Sequence, residues 1–308
     1  MNDVLIICTR NRIDQIKLLI NELRKQTYLP SKIVICDSSD SLDTQRFVAL
    51  TPNILSSELL YIKSSQGLPL QRNFAVEFVK LRFTWIEIVH FLDDDVLPNP
   101  NYFKEANASL VKYPHACAVG GWDLHLNSKI HKTPIRRIAI LGSSKTGVIL
   151  KSGIAIPPRP DRFDIESEWL VGATQSLRMS VFDFAKYDEG RRMYGEDLDF
   201  YIRIRDLSPF ICSKGMFIQH AYAASNRNTV RSVEKYSDGM RWEFSILYPD
   251  VVSKSCVLLA SFCLFIGELS IGLLKMRTVH FHRALGHLDF FWCLALRKSV
   301  RERWPLAE

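Results

Sequence analysis

The sequence predicts an α/β fold built on a mainly parallel sheet, and three observations lead to this prediction. Short continuous apolar runs alternate with stretches in which apolar residues recur every three or four positions, as expected when buried strands alternate with amphipathic helices. Polar side chains collect where the apolar runs end. Apolar residues make up 47% of the 308 residues and charged residues 24%, so the chain can bury a substantial core.

The first part of the chain alternates predicted strands with predicted helices. The clearest helix carries Ile16, Leu19, Ile20 and Leu23 on one face. Because strand–helix–strand units need crossover connections, successive strands lie parallel. In chain order, we predict strands at 4–8, 32–36, 59–62, 85–92 and 116–120, and helices after residue 12, between 69 and 81, and over 101–112.

The pattern weakens over residues 122–164, which are rich in basic residues, proline, glycine and serine. A connection of this length is more often a functional loop or lid than padding. Order returns over 168–184. A helix is then predicted over 196–205, and a last strand over 210–219 ends in His220.

The C-terminal segment has a different composition. Residues 257–274 are almost wholly apolar and close to the roughly 20 residues that a membrane-spanning helix needs, although Glu268 argues against a simple span. The basic and aromatic residues that follow are typical of helices at an anionic membrane surface. The alternative is a helical pair that packs on the core or on a second subunit. The basic side chains expected at acidic headgroups are Arg297, Lys298, Arg301 and Arg303.

The net charge and the cysteine content exclude some classes of function. The net charge of +7 is moderate and no basic, aromatic-interleaved stripe is present, so we predict no nucleic-acid partner. Seven scattered cysteines without a Cys-x-x-Cys pair indicate reduced thiols. The apolar run at 4–8 is too short for a signal peptide. We therefore expect a cytoplasmic protein that is peripheral on the inner face of the cell membrane.

Three consecutive carboxylates, Asp93, Asp94 and Asp95, close the strand predicted at 85–92. They repel one another, and burying them unpaired would be costly. A divalent cation with oxygen ligands would relieve the repulsion, whereas a solvated acidic turn that caps the next helix is the alternative. Because ligands bind at the carboxyl ends of strands in open α/β sheets, the position favours a binding site.

Several short segments together resemble family 2 glycosyltransferases. Their order and spacing, from residue 4 to about 220, carry the resemblance. In chain order they are the opening strand and Asn-Arg turn at 4–12, Gln-Thr at 26–27, a strand ending in Asp at 33–39, Gly-x-x-x-x-Arg-Asn at 67–73, an Asp-x-Asp motif with its proline-rich sequel at 90–100, a Gly-Ala segment at 169–178 and a Glu-Asp motif at 194–199.

The resemblance implies a GT-A fold and an inverting transfer of one sugar from a nucleotide-sugar to an acceptor hydroxyl. It also implies a divalent metal, Mn²⁺ or Mg²⁺, since the diphosphate leaving group gathers negative charge. The GT-A domain would cover 1–250, with a nucleotide-binding half to about 121 and an acceptor half from about 122. Residues 251–308 would form a membrane-associating or interaction segment. A saccharide or lipid-linked saccharide in surface-polysaccharide assembly (O-antigen or capsule) is the expected acceptor.

The resemblance also implies a role for each matching residue on the metal side. Asp95 would be the direct metal ligand, and Asp93 would face the ribose or a metal-bound water. Asp94 belongs to the same nucleotide-side motif without a clear role. His220 would complete the metal site, unless it is a structural histidine.

On the nucleotide side, the resemblance places Asp37 against the base, with Thr9 and Arg12 lining the same pocket. Arg72 would reach the base or the diphosphate, unless it is a solvated arginine in the first turn of a helix.

On the acceptor side, Asp197 would be the base that takes the proton of the acceptor hydroxyl, with Glu196 and Asp199 as neighbours that could be mistaken for it. Gly172 and Ala173 would line the acceptor or donor-sugar side. The alternative is that these acidic residues only favour a helix N-terminus.

Two other functions compete with glycosyl transfer. A sugar-phosphate nucleotidyltransferase needs a glycine-rich phosphate loop after the first strand, but residues 9–12 contain no glycine. A non-catalytic membrane-associated partner with the same fold would not need Asp93, Asp95 and Asp197. The absence of a Gln-x-x-Arg-Trp motif before Trp242 argues for transfer of a single sugar rather than for polymer extrusion.

Overall fold

A computed structural model of the chain describes residues 2–124, 143–191, 195–207, 209–221 and 229–296. The chain divides into two compact units. The first comprises Met1–Ile130 and Pro157–Ala223, and the second comprises His131–Ile156 and Ala224–Glu308.

The first unit is a sheet flanked by helices. Its strands are β1 (Asp3–Thr9), β2 (Lys32–Asp37), β3 (Asn53–Ile54), β4 (Ser57–Lys63), β5 (Ile88–Asp93), β6 (Val96–Pro98), β7 (Ala118–Asp123), β10 (Ile165–Ser167), β11 (Thr174–Arg178) and β12 (Phe210–His220). Its α-helices, within the described residues, are α1 (Ile13–Leu23), α2 (Asp43–Leu50), α3 (Leu68–Arg82), α4 (Tyr102–Lys112) and α5 (Glu196–Ile204), and a short 3₁₀ helix covers Met179–Asp183.

The sheet is mixed, with the strand order β10-β12-β7-β11-β5-β1-β2-β4-β3 and with β6 paired to β12. Strands β5, β1, β2 and β4 run parallel, as predicted from the strand–helix–strand alternation. Strand β11 lies antiparallel between β5 and β7. The α/β prediction is confirmed, and the antiparallel pairings come mainly from the short strands β3, β6, β10 and β11, whose direction the alternation of strands and helices did not predict.

Helix α1 buries Ile16, Leu19, Ile20 and Leu23 against the core, as its periodicity predicts. Helix α3 only partly follows expectation, because Val76 and Val79 are buried whereas Phe74 is 45% exposed.

The buried face of α3 instead includes polar Gln71, Arg72 and Asn73. A helix that buries polar side chains must supply them with partners. Gln71 donates to the carbonyls of Thr9 and Cys36 at 3.0 and 2.9 Å, and Asn73 donates to the carbonyl of Tyr187 at 2.9 Å.

The second unit contains three helices and a short hairpin. The helices are α6 (Val230–Leu247), α7 (Lys254–Lys275) and α8 (Thr278–Ala295), and the hairpin strands are β8 (Val148–Ile149) and β9 (Ala155–Ile156). Lys151 joins the hairpin to the helical part, because its Nζ donates to the carbonyl of Asp250 at 2.6 Å and its carbonyl accepts from the N–H of Ser253 at 2.8 Å.

The predicted connection at 122–164 therefore contributes residues 143–156 to the second unit. The unit resumes at Ala224, earlier than the predicted boundary near residue 250, because α6 packs with α7 and α8.

Helix α7 has an unusual polarity. By length and composition it is the one helix among the described residues that is apolar enough to cross a membrane. Its most apolar stretch of 18 residues has a mean hydropathy of 2.2, and only 22% of this stretch is buried. Leu259, Phe262, Ile266 and Leu273 form an exposed apolar row along it. Glu268, on the same helix, binds His280 at 2.6 Å.

Arg283 lies 3.5 Å from the same Glu268 carboxylate, so two basic partners accompany the charge that argued against a simple membrane span. The basic residues predicted at headgroups, Arg297, Lys298, Arg301 and Arg303, lie outside the described residues.

Candidate active site

Parallel pairing brings the polar strand ends to one edge of the sheet. Thr9 is the pairing partner of Asp37, and Cys8 is the partner of Asp93. The ends of β1, β2 and β5 therefore stand side by side, and the predicted convergence of Thr9, Asp37 and Asp93 is observed.

Asp93, Asp95 and His220 form a cluster in which one ligand atom from each lies within 4.8 Å of the others. Two backbone contacts bring His220 to this place. Strand β12 pairs antiparallel with β6 so that His220 faces Val96, and the N–H of Ala221 donates to the carbonyl of Asp95 at 2.8 Å. The histidine that the sequence left undecided therefore adjoins the carboxylates.

Asp123 was not predicted as a site residue, and it supports His220. It ends β7, its side chain is buried, and its Oδ2 lies 2.6 Å from Nδ1 of His220. Burial alone lowers the pKa of His220, but the hydrogen bond and the charges of Asp123, Asp93 and Asp95 outweigh it and hold this pKa above its ordinary value. The signal that the sequence offered for Asp123 was its position, since it is a carboxylate at another strand end of the same sheet.

The cluster fits a divalent cation by its donor chemistry. Two carboxylates supply hard oxygen ligands, and an imidazole whose Nδ1 is held by Asp123 supplies a nitrogen ligand type that Mn²⁺ accepts. Asp93, Asp95 and His220 are thus the residues that would hold Mn²⁺ or Mg²⁺. Asp93, predicted to face the ribose or a metal-bound water, belongs geometrically to the metal cluster.

Asp94 points away from this cluster and ties β5 to the turn after β1. It accepts from the Thr9 hydroxyl at 2.7 Å and from Nη1 of Arg12 at 2.9 Å. Burial raises the pKa of Asp94 to about 6, and Arg12 and Thr9 keep it from rising further. Arg12 also lies 3.6 Å from Asp95, so Thr9 and Arg12 order the acidic motif itself.

Asp37 is buried and bound by neighbouring protein groups. It accepts from the backbone N–H of Ser39 at 2.8 Å, from the Ser39 hydroxyl and from the Tyr61 hydroxyl at 3.2 Å. These contacts order the loop after β2. The contact of Asp37 with a base stays a prediction.

Arg72 is not a solvated arginine, because it is only 2% exposed. Its Nη2 donates to the carbonyl of Gly172 at 3.0 Å and lies 3.4 Å from Asp93, while Nη1 lies 3.6 Å from Glu196. The observed contacts of Arg72 are therefore with the protein, on both sides of the site.

Glu196 and Asp197 open α5, after Gly195 in the left-handed conformation with φ of +80°. The N–H groups of Gly172 and Leu198 donate to Asp197 at 3.2 and 2.8 Å. Burial raises the pKa of Asp197, and burial together with the Asp197 charge raises the pKa of Glu196 to about 7, while Arg72 lowers both. Carboxyls with raised pKa values are suited to general base chemistry near neutral pH.

Asp199 can be separated from this pair. It is buried, and its oxygens lie 3.2 Å from Nε of Arg191 and 2.9 Å from Nε of Arg203. Two arginines bind Asp199 and give it a structural role. Glu196 and Asp197 are therefore the carboxylates on the acceptor side of the site.

The chain matches one family model over the strands that carry the acidic motif. The model for Glycosyl transferase family 2 covers residues 4–184, more than half of the 308 residues. The chain belongs to glycosyl transferase family 2. The resemblance carried by the motifs is confirmed, and with it the assignment to an enzyme family of glycosyltransferases. No curated protein sequence matches the chain.

Solved structures of other glycosyltransferases resemble this family 2 chain. S. aureus TarS 1–349 in complex with UDP-GlcNAc is 15% identical, with a TM-score of 0.50 over 97% of this chain and 93% of that one. S. aureus TarS is also similar at 17% identity, with a TM-score of 0.51 over 86% of this chain and 43% of that one. GalNAc-T7 with UDP, GalNAc and Mn²⁺ gives 13% identity and a TM-score of 0.57, over 99% of this chain and 58% of that one.

The chain thus spans about half the length of this longer TarS and of GalNAc-T7. At these identities the likeness shows the fold, and the predicted GT-A fold is confirmed.

The family 2 chain brings the predicted residues together in two groups. The metal-side group contains Asp93, Asp95 and His220, with Asp94, Thr9 and Arg12 behind it. The acceptor-side group contains Glu196, Asp197 and Gly172, while Ala173 accepts from the N–H of Asp93 at 3.4 Å. Arg72 contacts both groups.

Proposed function

We propose that the chain is an inverting glycosyltransferase that moves one sugar from a nucleotide-sugar to an acceptor hydroxyl. One observation carries the proposal: in a family 2 chain, a carboxylate–histidine cluster suited to a divalent cation and a carboxylate pair with raised pKa values lie on two sides of the same buried arginine, Arg72. The carboxylate–histidine cluster with a bound cation suits a diphosphate, and the carboxylate pair suits a hydroxyl nucleophile.

Asp197 is the proposed general base. Its carboxylate takes the proton of the acceptor hydroxyl as the acceptor oxygen forms its bond to the anomeric carbon, and the bond from that carbon to the diphosphate oxygen breaks. The nucleoside diphosphate leaves with the bonding electrons, and the anomeric configuration is inverted. The N–H groups of Gly172 and Leu198 hold the carboxylate in place.

Asp93, Asp95 and His220 would hold the divalent cation next to the diphosphate. When bound, such an ion offsets the negative charge that gathers on the leaving group. The carboxylates alone would repel a diphosphate, so we propose that donor binding depends on Mn²⁺ or Mg²⁺.

We further propose that the chain works at the inner face of the cell membrane on a saccharide or lipid-linked saccharide, in the assembly of a surface polysaccharide such as O-antigen or capsule. The exposed apolar row of α7 supports this location, because contiguous apolar surface is unfavourable in water. The ion pairs of Glu268 with His280 and Arg283 also support it, since a paired carboxylate is less costly near lipid.

Nucleotide-sugars and Mn²⁺ test the chemistry directly. We expect one nucleotide-sugar to raise the melting temperature of the full chain only with Mn²⁺ or Mg²⁺, and to be consumed when a hydroxyl acceptor is supplied. Asp95→Asn should remove the metal-dependent part of the shift and leave the melting temperature of the free protein within about 2 °C. If Asp95→Asn binds the donor with unchanged Mn²⁺ dependence, the metal assignment is wrong.

A further inference from the structure

Arg72 places a full positive charge inside the first unit. It is 2% exposed, and its guanidinium lies over the rings of Tyr187 at 5.2 Å and Phe91 at 5.7 Å. Burying a charge is costly unless it is paired. The partners of Arg72 therefore indicate what its burial achieves.

These partners belong to both groups of the site. Nη2 reaches Asp93 of the metal cluster at 3.4 Å and donates to the carbonyl of Gly172 at 3.0 Å. Gly172 in turn donates its N–H to Asp197 at 3.2 Å. A continuous series of contacts thus runs from Asp93 through Arg72 and Gly172 to Asp197.

The second terminal nitrogen extends this connection. Nη1 makes no hydrogen bond among the described residues, and it lies 3.6 Å from Oε1 of Glu196. A planar guanidinium with several donors can hold groups in different directions, which a single ammonium cannot do. The position therefore uses the shape of arginine as well as its charge.

Gly172 shows how closely these groups pack. A Cβ added at this residue would lie 3.2 Å from Cβ of Asp197 and 3.3 Å from both terminal nitrogens of Arg72. Such contacts are shorter than ordinary van der Waals distances, so the side chain of Asp197 or that of Arg72 would have to move.

We propose that Arg72 is a positioning residue that holds Asp93 of the metal cluster and the Gly172–Asp197 pair in a fixed mutual arrangement. The expected effect of Arg72 on transfer rests on the proposed function, whereas its expected effect on the metal cluster does not. It differs from a nucleotide contact, because the buried guanidinium is bound by protein groups.

Binding of Mn²⁺ alone to the full chain tests the metal side. If Arg72 acted only as a charge, its replacement by glutamine would remove repulsion and tighten Mn²⁺ binding. Because it orients a ligand, we expect Arg72→Gln and Arg72→Lys both to weaken Mn²⁺ binding about 10-fold, measured by electron paramagnetic resonance without nucleotide. Unchanged or tighter binding would overturn the positioning role, whether or not transfer has been detected.

The pH profile of transfer tests the base side. Among the described residues, the charged and titratable groups around Glu196 and Asp197 are Arg72, Asp93, Tyr187, Tyr201 and the two carboxyls themselves. Loss of the Arg72 charge raises the pKa of the pair, so the acid limb of kcat should move to higher pH in Arg72→Gln and move less in Arg72→Lys. At saturating Mn²⁺ the donor KM should stay within about twofold, since Arg72 contacts protein groups and a displaced base lowers kcat rather than donor affinity. A raised donor KM with intact kcat would instead make Arg72 a nucleotide contact.

Two further variants separate positioning from misfolding. Gly172→Ala keeps Arg72 and disturbs the same connection, so it should lower kcat and weaken Mn²⁺ binding in the same direction. Arg178→Lys is the matched control, because Arg178 lies at the far end of β11 and donates to the carbonyls of Ala116 and Leu110. It should leave Mn²⁺ affinity and the pH profile unchanged. An unaltered Gly172→Ala enzyme would contradict the proposal even if the Arg72 variants fail to fold.

Discussion

At the scale of single residues, the role of each carboxylate follows from its partners. Asp94 pairs with Arg12 and accepts from the Thr9 hydroxyl, whereas Asp199 pairs with Arg191 and Arg203. Asp197 instead accepts from two backbone N–H groups, and within the part of the chain that the structure describes it forms no ion pair. Backbone donors of this kind hold a base in place and still leave it able to take a proton.

Asp197→Asn should keep donor affinity and lose most transfer, because the amide has the shape of the carboxyl but cannot accept the proton. A general base typically contributes 10²- to 10⁴-fold, and we expect a loss of about that size in kcat. The measurement is the transfer rate at saturating donor and Mn²⁺. Asp199→Asn, with its two arginine partners, should affect stability more than rate, and a rate for Asp197→Asn within about threefold of the parent would end the base assignment.

The parent enzyme should also lose activity in acid. Burial raises the pKa values of Asp197 and Glu196, the latter to about 7, and the base acts only when it is ionised. The transfer rate should therefore fall on acidification at a higher pH than an exposed carboxylate would dictate, and it should level off at alkaline pH. A rate that stays flat down to about pH 5 would mean that this pair does not supply the base.

Asp123→Asn tests the support of His220. A carboxylate that orients a ligating histidine typically accounts for 10- to 100-fold in metal affinity, so we expect Mn²⁺ binding to weaken by about this factor. The effect should be recovered by raising the Mn²⁺ concentration, since no ligand is removed. Asp164→Asn provides a control, because Asp164 binds Lys112 and the N–H of Lys214 at a distance from the cluster in sequence and sheet position. Equal Mn²⁺ affinity in Asp123→Asn and the parent would contradict the supporting role.

At the scale of elements, short pairings and helix starts place the site. Strand β6 has only three residues, yet its antiparallel pairing with β12 sets His220 beside Val96, next to the acidic motif. Helix α5 begins at the pair of carboxylates because Gly195 turns the backbone into the helix with a positive φ. A glycine adopts this conformation without the steric cost that a side chain brings.

Gly195→Ala should disturb the start of α5 and the base with it. The left-handed conformation costs a non-glycine residue about 1 kcal/mol, so the melting temperature should fall by a few degrees and kcat should fall as well. Gly147→Ala is a matched control, because Gly147 has a φ of +74° but belongs to the second unit. It should lower stability to a similar extent and leave kcat unchanged. If both variants lose stability but kcat falls in neither, the start of α5 does not position Asp197.

At the scale of the whole molecule, the chain combines a GT-A unit with a helical unit that exposes apolar surface. In the helical unit, buried Asp238 pairs with both Arg241 and His287, while an apolar row of α7 is exposed. Helices at the surface of soluble proteins usually turn their apolar side chains inward. The exposed row would be favoured by an apolar surrounding for this face of α7.

The full chain should float with anionic liposomes and less with neutral ones, because basic residues and apolar surface act together at an acidic membrane. Replacing Phe262 and Ile266 on α7 by aspartate should abolish flotation and leave donor consumption intact. Phe163→Asp with Phe184→Asp is the matched control, since both phenylalanines are exposed but belong to the first unit. If the parent chain ignores both liposome types, the apolar row serves packing or dimerisation instead.

The sequence by itself determined the elements and motifs that local chemistry specifies. Continuous apolar runs indicated β1, β2 and β5, the periodicity of α1 identified its buried face, and three adjacent carboxylates marked the binding edge. Such features depend on neighbours within a few positions, where burial and repulsion leave a visible pattern.

Only the tertiary structure decided which distant side chains meet. The pairing of His220 with Asp123, the burial of Arg72 between Asp93 and Glu196, and the partners of Glu268 join residues that are far apart in sequence or whose contact depends on helix packing. Composition cannot show whether a charge is paired, since pairing depends on the packing of separate elements. The same residue types therefore yield a metal ligand, a supporting carboxylate or a structural ion pair according to the fold around them.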